Sequence, residues 1–396
     1  MKNDNACIFN LPGYKIISEY TDRYKLKYEV QVSSKEAKCT KCNSVSKTIY
    51  DIHERDIKHT FWAERACTLI VFQRTFKCHH CGRRFRESLP GIIPYGRRTE
   101  KFKEQIAKDA LNGHDNKKVA KTFNVGQATV QRDIDRYTHL ELQKKKSKLC
   151  PVILGIDEHH FTKKKGYATT IADLKKNKVF DITLGRSDLA LDSYFKTLEN
   201  KERTKLVVMD LSVTYRAIVK KHFPNALIVA DRFHVIKLLN LRFTEVWKIL
   251  EPSGSKSKGL VSLFRRKPEN LKPEQRKNLD KYLNQYPALK EAYKFRNKIH
   301  KLLMHKSVPK SKMKRFVKQF LKVIQKLENS KLKPLASLAQ TFKSWQEEIL
   351  RMLRFSSKVS NGITEGFHNK MENISRNAYG FRNFKNYKNR VLLKCG

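Results

Sequence analysis

The chain has 396 residues, of which 40% are hydrophobic, so it can build two or three domains with real cores. Lys and Arg number 84 against 38 Asp and Glu, and the net charge of +46 favours a polyanionic partner, nucleic acid first and an anionic membrane surface as the alternative. The sequence contains no apolar run long enough to span a membrane and does not start as a signal peptide, so a cytoplasmic protein is expected.

Two Cys-x-x-Cys pairs lie among strand-like segments in the first hundred residues, Cys39 with Cys42 and Cys78 with Cys81. Four thiolates fill a tetrahedral zinc site, which predicts a structural ion. The long gap between the pairs predicts a β-rich knuckle with inserted strands. Thiol redox chemistry is the competing interpretation, but no βαβ pattern surrounds either pair. In another interpretation, a histidine replaces one of the cysteine ligands. The candidates are His53, His59, His79 and His80.

The next segment, residues 99–146, shows helical spacing of apolar residues interrupted at Asn124-Val125-Gly126. This pattern predicts a helix-turn-helix. An ordinary helical hairpin is the alternative. The second helix of the motif would point four side chains toward a DNA major groove: Gln127, Thr129, Gln131 and Arg132.

Strand patterns begin after residue 147 and run as three strands, a helix, a strand, a helix and a strand. Buried strand patterns lead into Asp157, Asp210 and Asp231, with His234 three residues after the last acid. Parallel strands present their chemistry at their carboxyl ends. The order matches an RNase H-like core, whose carboxylates hold magnesium or manganese for phosphoryl transfer. For Asp210, capping of the following helix is the alternative.

The remainder of the chain is helical and basic. Glu365 begins a late helix, and the residues after it interleave aromatic and cationic side chains, which suits a nucleic-acid contact. The expected fold is therefore a multidomain α/β protein. Its predicted parts are a zinc-binding domain (1–98), a helix-turn-helix domain (99–146), the first part of the core (147–240), an all-helical insertion (241–355) and a C-terminal helix part of the core (356–396).

Several segments carry a family resemblance: the paired cysteines with CGRRF, GIDE at Asp157, MDLS at Asp210, FPNALIVADRFHVIKLLN and NGITEGFHNKMENISRNAYGFRNFKNYKNRV. With them the chain resembles the ISL-three family of bacterial insertion-sequence transposases nearly end to end. The resemblance implies a DDE transposase with an RNase H-like domain interrupted by a helical insertion. Such an enzyme binds the terminal inverted repeats of its element, cleaves double-stranded DNA there and joins the freed ends to target DNA.

The resemblance also implies site residues. Asp157 and Glu365 carry over as the first and last acids of the triad. The middle acid stays open between Asp210, favoured by its place after the fourth strand, and Asp231, favoured by the Asp-x-x-His pattern with His234. The implied cofactors are two magnesium or manganese ions and a structural zinc, with a dimer or larger assembly at the nucleoid. The alternatives are a catalytically inactive DNA-binding regulator and another RNase H-like nuclease.

Overall fold

The computed structural model describes residues 12–62, 65–113, 115–145, 149–355 and 362–396. The chain forms two units, one reaching Lys144 and including Ile374–Gly380, the other made of Lys145–Asn373 and Phe381–Gly396. The prediction of a mixed α/β protein is confirmed, with twelve strands and fourteen α-helices in the described ranges. Within those ranges, no helix has both the length and the apolar character that crossing a membrane requires.

The first unit contains seven strands in its described residues. They are β1 (Tyr14–Thr21), β2 (Lys25–Val32), β3 (Ala37–Lys38), β4 (Val45–Ser46), β5 (Ile49–Trp62), β6 (Arg65–Lys77) and β7 (Arg84–Arg86). The main sheet has the order β1-β2-β6-β5 with β7 beside β6, and β3 pairs with β4. In β6, Cys67, Leu69 and Val71 are buried at every second position, so one face of the sheet covers a core.

Three helices complete this unit: α1 (Glu100–Leu111), α2 (Asn116–Thr122) and α3 (Gln127–Lys145). Thr99 caps α1 and Asp115 caps α2, each accepting a backbone N–H of the first turn. Apolar side chains at helical spacing are buried among these helices: Phe102, Ile106, Val119, Phe123, Val130 and Ile134. Their burial follows from one apolar stripe per helix.

The second unit is built on a five-stranded sheet. Its elements are β8 (Ile153–Thr162), β9 (Gly166–Asp173), β10 (Lys178–Leu184), α4 (Asp188–Lys196), β11 (Leu206–Met209), α5 (Val213–His222) and β12 (Leu227–Ala230). The strand order is β10-β9-β8-β11-β12. The pairs β10–β9 and β9–β8 are antiparallel, whereas β11 is parallel to both β8 and β12. Short continuous apolar runs form β11 and β12 because parallel strands are covered on both faces.

A block of helices follows the sheet: α6 (Arg232–Leu250), α7 (Lys258–Arg265), α8 (Pro273–Gln285), α9 (Pro287–Leu303), α10 (Lys310–Glu328), α11 (Lys333–Ser344) and α12 (Gln346–Phe355). α6 leaves the sheet edge and packs against α9 and α11, while α12 packs against β12. Prolines begin α8 and α9, where the missing N–H has no helical partner to lose.

Two helices close the chain, α13 (Gly362–Asn377) and α14 (Phe384–Cys395). α14 packs against β10, where Lys388 lies 2.6 Å from the Asp181 carboxylate. The C-terminal helix therefore returns to the same sheet as β8 and β11.

Candidate active site and metal centre

Three carboxylates lie at one level across three adjacent strands. Met209 of β11 pairs with the residue before Asp157 on one side and with the residue before Asp231 on the other. Asp210 follows Met209 directly. Neighbouring strands lie about 4.8 Å apart, so these three acids form a row along the carboxyl edge of β8, β11 and β12.

Asp157 is buried within β8, and its Oδ1 accepts the backbone N–H of Glu158 at 2.8 Å. Burial raises the pKa of this carboxyl to about 7, against the opposing effect of the nearby His234. The charges of Asp231 and Asp210 raise it further. A bound cation would stabilise the ionised form of such crowded, poorly solvated carboxyl groups.

Asp210 has a buried oxygen without a partner. Its Oδ1 makes no hydrogen bond within the described part of the chain. Burial raises the pKa of Asp210 to about 6. The expected alternative, a helix cap, is not what this residue does, because the Ser212 hydroxyl caps α5 by accepting the Tyr215 N–H at 3.3 Å. An orphaned carboxylate oxygen at the strand edge suits a metal ligand.

Asp231 is placed differently, although it lies in the same row. Its Oδ1 accepts the Phe233 N–H at 3.2 Å as the cap of α6, and its Oδ2 lies 2.7 Å from His234 Nδ1. Burial lowers the pKa of His234, but Asp231, Asp157 and Asp210 outweigh it and the pKa rises. Both Asp231 oxygens are thus engaged in holding His234 and the start of α6.

A further polar chain reaches this site and was not found from the sequence. Tyr387 Oη lies 2.8 Å from His159 Nε2, whose Nδ1 lies 2.9 Å from Thr170 Oγ1. Thr170 Oγ1 in turn lies 3.3 Å from His368 Nε2, and His368 Nδ1 lies 3.9 Å from Asp157 Oδ2. Burial lowers the pKa of His159 to about 3 and that of His368 to about 4, so both rings are neutral near pH 7.

Glu365 belongs to the first turn of α13, three residues before His368. Residues at this spacing lie on one side of a helix. Its side chain lies outside the described residues, so its place relative to Asp157 remains a prediction.

The two cysteine pairs meet in one cluster. Sγ of Cys39 lies 3.6 Å from Sγ of Cys81, and Sγ of Cys42 lies 3.5 Å from Sγ of Cys78. All four sulfurs lie within 4.8 Å of one another. Zn–S bonds of about 2.3 Å in a tetrahedron separate the sulfurs by about 3.8 Å, so this donor set fits zinc. The separations are too long for disulfides, whose S–S bond is about 2.05 Å.

Each pair sits in the same kind of turn. Asn43 and Gly82 follow their pairs with positive φ angles of 59° and 71°. Each donates its backbone N–H to the carbonyl of the first cysteine four residues earlier. Hydrogen bonds from Ser44, first through its hydroxyl and then its backbone, lower the pKa of Cys42 to about 5. A thiolate is the form that binds metal, so the turn prepares the ligand.

Among the described residues, the cysteine cluster is the group of three or more metal-binding side chains whose donor atoms lie within 4.8 Å of each other. The strand-edge carboxylates are more widely spread.

The four side chains predicted to read DNA lie on the first turns of α3. Gln127 and Arg132 are exposed, and Thr129 and Gln131 are half-buried. In this structure Arg132 donates to Thr129 Oγ1 at 3.2 Å, and Gln131 donates to Asp135 at 2.9 Å. Arg132 and Thr129 thus bond to each other, whereas Gln131 bonds to an acid one turn further along α3.

The raised pKa of Asp157 gives a stability prediction for protein without added magnesium. The folded chain holds this proton up to about pH 7, whereas the ordinary carboxyl loses it near 3.8. The stabilising contribution is therefore complete below about pH 4 and is lost as the pH rises through 7. At pH 8, Asp157→Asn should therefore unfold at a higher temperature than the parent, with a free energy of unfolding larger by at most about 4 kcal/mol. Parallel pH profiles of the two melting temperatures would contradict this.

Comparison with known proteins agrees with the geometry. A family model described as a transposase matches residues 154–391, which covers the five-stranded sheet and the helices after it. This places the chain in the class of transposases. The chain belongs to the ISL3 family of DDE transposases (DDE_Tnp_ISL3), which confirms the resemblance seen in the sequence. It is 25% identical to the transposase for insertion sequence element IS1001 of Bordetella parapertussis over 355 residues, covering 87% of this chain and 85% of that protein.

Proposed function

We propose that this chain is an active DNA transposase that binds the terminal inverted repeats of an insertion sequence, cleaves there and transfers the strand to target DNA. The observation that carries the proposal is the row of three acids along the edge of three adjacent strands, in which Asp157 and Asp231 are buried and Asp210 has an oxygen without a partner. In a protein with a net charge of +46, an acidic site needs metal to tolerate a phosphate substrate.

The proposed catalytic domain is RNase H-like. Its support is the strand order β10-β9-β8-β11-β12, with an antiparallel meander joined to two parallel strands. On this proposal, the helices from the end of α6 to α12 are an insertion between β12 and α13, and the domain limits predicted from the sequence are kept.

We assign the middle acid to Asp210. Asp231 already satisfies the start of α6 and His234 with its two oxygens, whereas Asp210 keeps one oxygen unpartnered. Each Asp231 oxygen already accepts one bond that holds another group in place, whereas Asp210 Oδ1 makes none, so the hydrogen bonds favour Asp210 as the metal ligand. Asp231 then holds His234 beside the site, where the ring can orient a phosphate oxygen; the surrounding acids raise its pKa and so favour the protonated form.

Asp157 and Asp210 would hold the divalent ions, magnesium or manganese, and Glu365 would complete the set. Bound ions lower the pKa of an attacking water and stabilise the leaving oxygen of an in-line displacement. The polar chain from Tyr387 to His368 would keep α13, and with it Glu365, against the edge of β8. No covalent enzyme intermediate is required, so no Ser or Tyr nucleophile is assigned.

The first unit would recognise the element end. The four cysteines would bind a structural zinc, and α2 with α3 would act as a helix-turn-helix whose Gln127, Thr129, Gln131 and Arg132 contact bases. Two ends must be held together for strand transfer, so a dimer or larger assembly on double-stranded DNA is proposed, in the bacterial cytoplasm at the nucleoid. No membrane partner is proposed.

The test uses the full chain, magnesium and a labelled duplex that carries an element end. A nick at the repeat and a product joined to a second duplex are expected. Asp157→Asn should bind the same duplex within about twofold and give no product, since one metal ligand is lost. End binding without any cleavage would support the inactive regulator instead, and cleavage of branched DNA without repeats would support another nuclease.

A further inference from the structure

Helix α10 carries a regular row of positive charge. Five of its lysines recur every four residues, and all five are exposed: Lys310, Lys314, Lys318, Lys322 and Lys326. A step of four residues rises about 6 Å and turns about 40°, so the row is continuous over about 24 Å. We name these five residues the lysine ridge.

The ridge lies opposite the face that holds α10 in place. Phe320, Val323, Ile324 and Leu327 are buried, and α10 packs against α11. At about 100° per residue, the centre of the lysine ridge points away from these apolar residues. The apolar face is already covered, and Leu321 is the large apolar side chain of α10 that stays exposed, at 43%, so the helix lacks the apolar stripe that insertion into a lipid bilayer requires.

The lysine ridge receives no compensating negative charge. Within the described ranges, none of its five ammonium groups forms a salt bridge. Glu328, the acid of this helix, lies at its C-terminal end and pairs with Lys343 of α11 at 3.0 Å. Like charges four residues apart destabilise a helix, and so do cations in its first turn, where α10 has no acid. Folding gains nothing from this arrangement.

We propose that the lysine ridge binds the phosphate backbone of duplex DNA without reading its sequence. A continuous row of mobile ammonium groups, which winds by about 160° around α10, attracts a polyanion and offers no planar pairing for base edges. The ridge therefore suits DNA beyond the repeat, either the flank of the element or the target. This inference rests on the proposed function, because it takes duplex DNA as the polyanion.

The test compares three variants of the full chain on a random-sequence duplex, with affinity measured by fluorescence anisotropy across a salt series. The ridge variant replaces all five lysines by Gln. The matched control replaces five exposed lysines of α8 and α9 by Gln: Lys277, Lys281, Lys294, Lys298 and Lys301. A third variant replaces the ridge by Arg, which keeps the charge.

The slope of log affinity against log salt should become less negative by about 3 to 4 in the ridge variant, since each phosphate contact contributes about 0.9. The control should change by less than about 1, and the Arg variant should match the parent. An equal change in the ridge variant and the control would overturn the proposal, because net charge alone would then explain it.

A second measurement uses the unmodified chain and so does not depend on variant folding. Lysine acylation, read by mass spectrometry with and without duplex, should be slowed several-fold at the ridge and little at the control lysines. Equal protection at both would overturn the proposal. So would binding to phosphatidylserine vesicles that the ridge variant loses while its duplex binding stays intact.

The cleavage assay separates this inference from the proposed function. If the parent cleaves element ends but the ridge variant keeps the parent's salt slope, the ridge proposal fails and the transposase remains. If the ridge variant loses its salt slope but the parent cleaves no element end, the DNA-binding ridge stands and the proposed activity fails.

Discussion

Asp210→Asn should lower metal-dependent cleavage of an element end by about a thousandfold or more, a loss of about 4 kcal/mol of transition-state stabilisation. The reason is the unpartnered Oδ1, which an amide cannot replace as a charged metal ligand. The same change should leave stability equal or higher. Asp210 ionises near pH 6 in the fold, so at pH 8 its buried charge opposes folding, and a neutral amide removes that opposition.

The measurement pairs single-turnover cleavage with thermal unfolding at pH 8. Asp188→Asn is the matched control, since this acid is exposed at the start of α4. It should change neither quantity. Asp231→Asn should behave in a third way. The amide oxygen of this variant can still accept the Phe233 N–H, but its NH2 group cannot accept a hydrogen bond from His234 Nδ1. Losing that bond should cost about 1–3 kcal/mol of stability. If Asp210→Asn cleaved as fast as the parent and Asp231→Asn did not cleave, the middle acid of the catalytic triad would have to be assigned to Asp231.

Cys42→Ala should release the zinc and unfold the turns that contain the two cysteine pairs. Structural zinc contributes about 10–16 kcal/mol to small metal-binding modules, far more than a few hydrogen bonds. The small core around the cluster, Phe76 and Phe85 with the buried sulfurs, depends on these ligands. Bound zinc, measured by elemental analysis, should fall from about one per chain to less than about a tenth. Affinity for the element end should fall at least about tenfold.

Cys67→Ala is the control for this prediction. Cys67 is buried in β6 of the same unit, and burial raises the pKa of its thiol to about 12, so it does not serve as a thiolate ligand. The variant should keep its zinc and lose only about 1–2 kcal/mol of stability from the small cavity. Full zinc content in Cys42→Ala would refute the four-thiolate centre.

Local patterns made much of this architecture readable from the sequence. Two cysteines separated by two residues can form a metal-binding turn whatever the fold of the rest of the chain. The structure brings the two pairs together: Cys39, Cys42, Cys78 and Cys81. The apolar runs before Asp210 and Asp231 indicated buried parallel strands, and β11 and β12 are parallel. Such features depend on neighbours in sequence, so periodicity and spacing are sufficient to find them.

Contacts between distant residues were beyond the reach of those patterns. The bond between Tyr387 and His159 joins positions 228 residues apart, and neither residue type in its local context signals the other. The link from Thr170 to His368 is of the same kind. Hydrogen bonds between such distant residues depend on how the helices pack on the sheet. Different sequences can produce the same packing with different side chains.

The sequence by itself determined which functional side chains the protein carries and how they are spaced. They are acids after buried strands, four cysteines in two turns, and lysines at every fourth residue of one helix. Only the tertiary structure decided which of those groups keep an oxygen without a hydrogen bond or a charge without a partner. Asp210 and Asp231 both follow apolar runs, yet hydrogen bonds from α6 occupy one and leave an oxygen of the other bare. Which side chains are hydrogen-bonded depends on the residues that pack around them, because burial and these hydrogen bonds arise only when the chain folds.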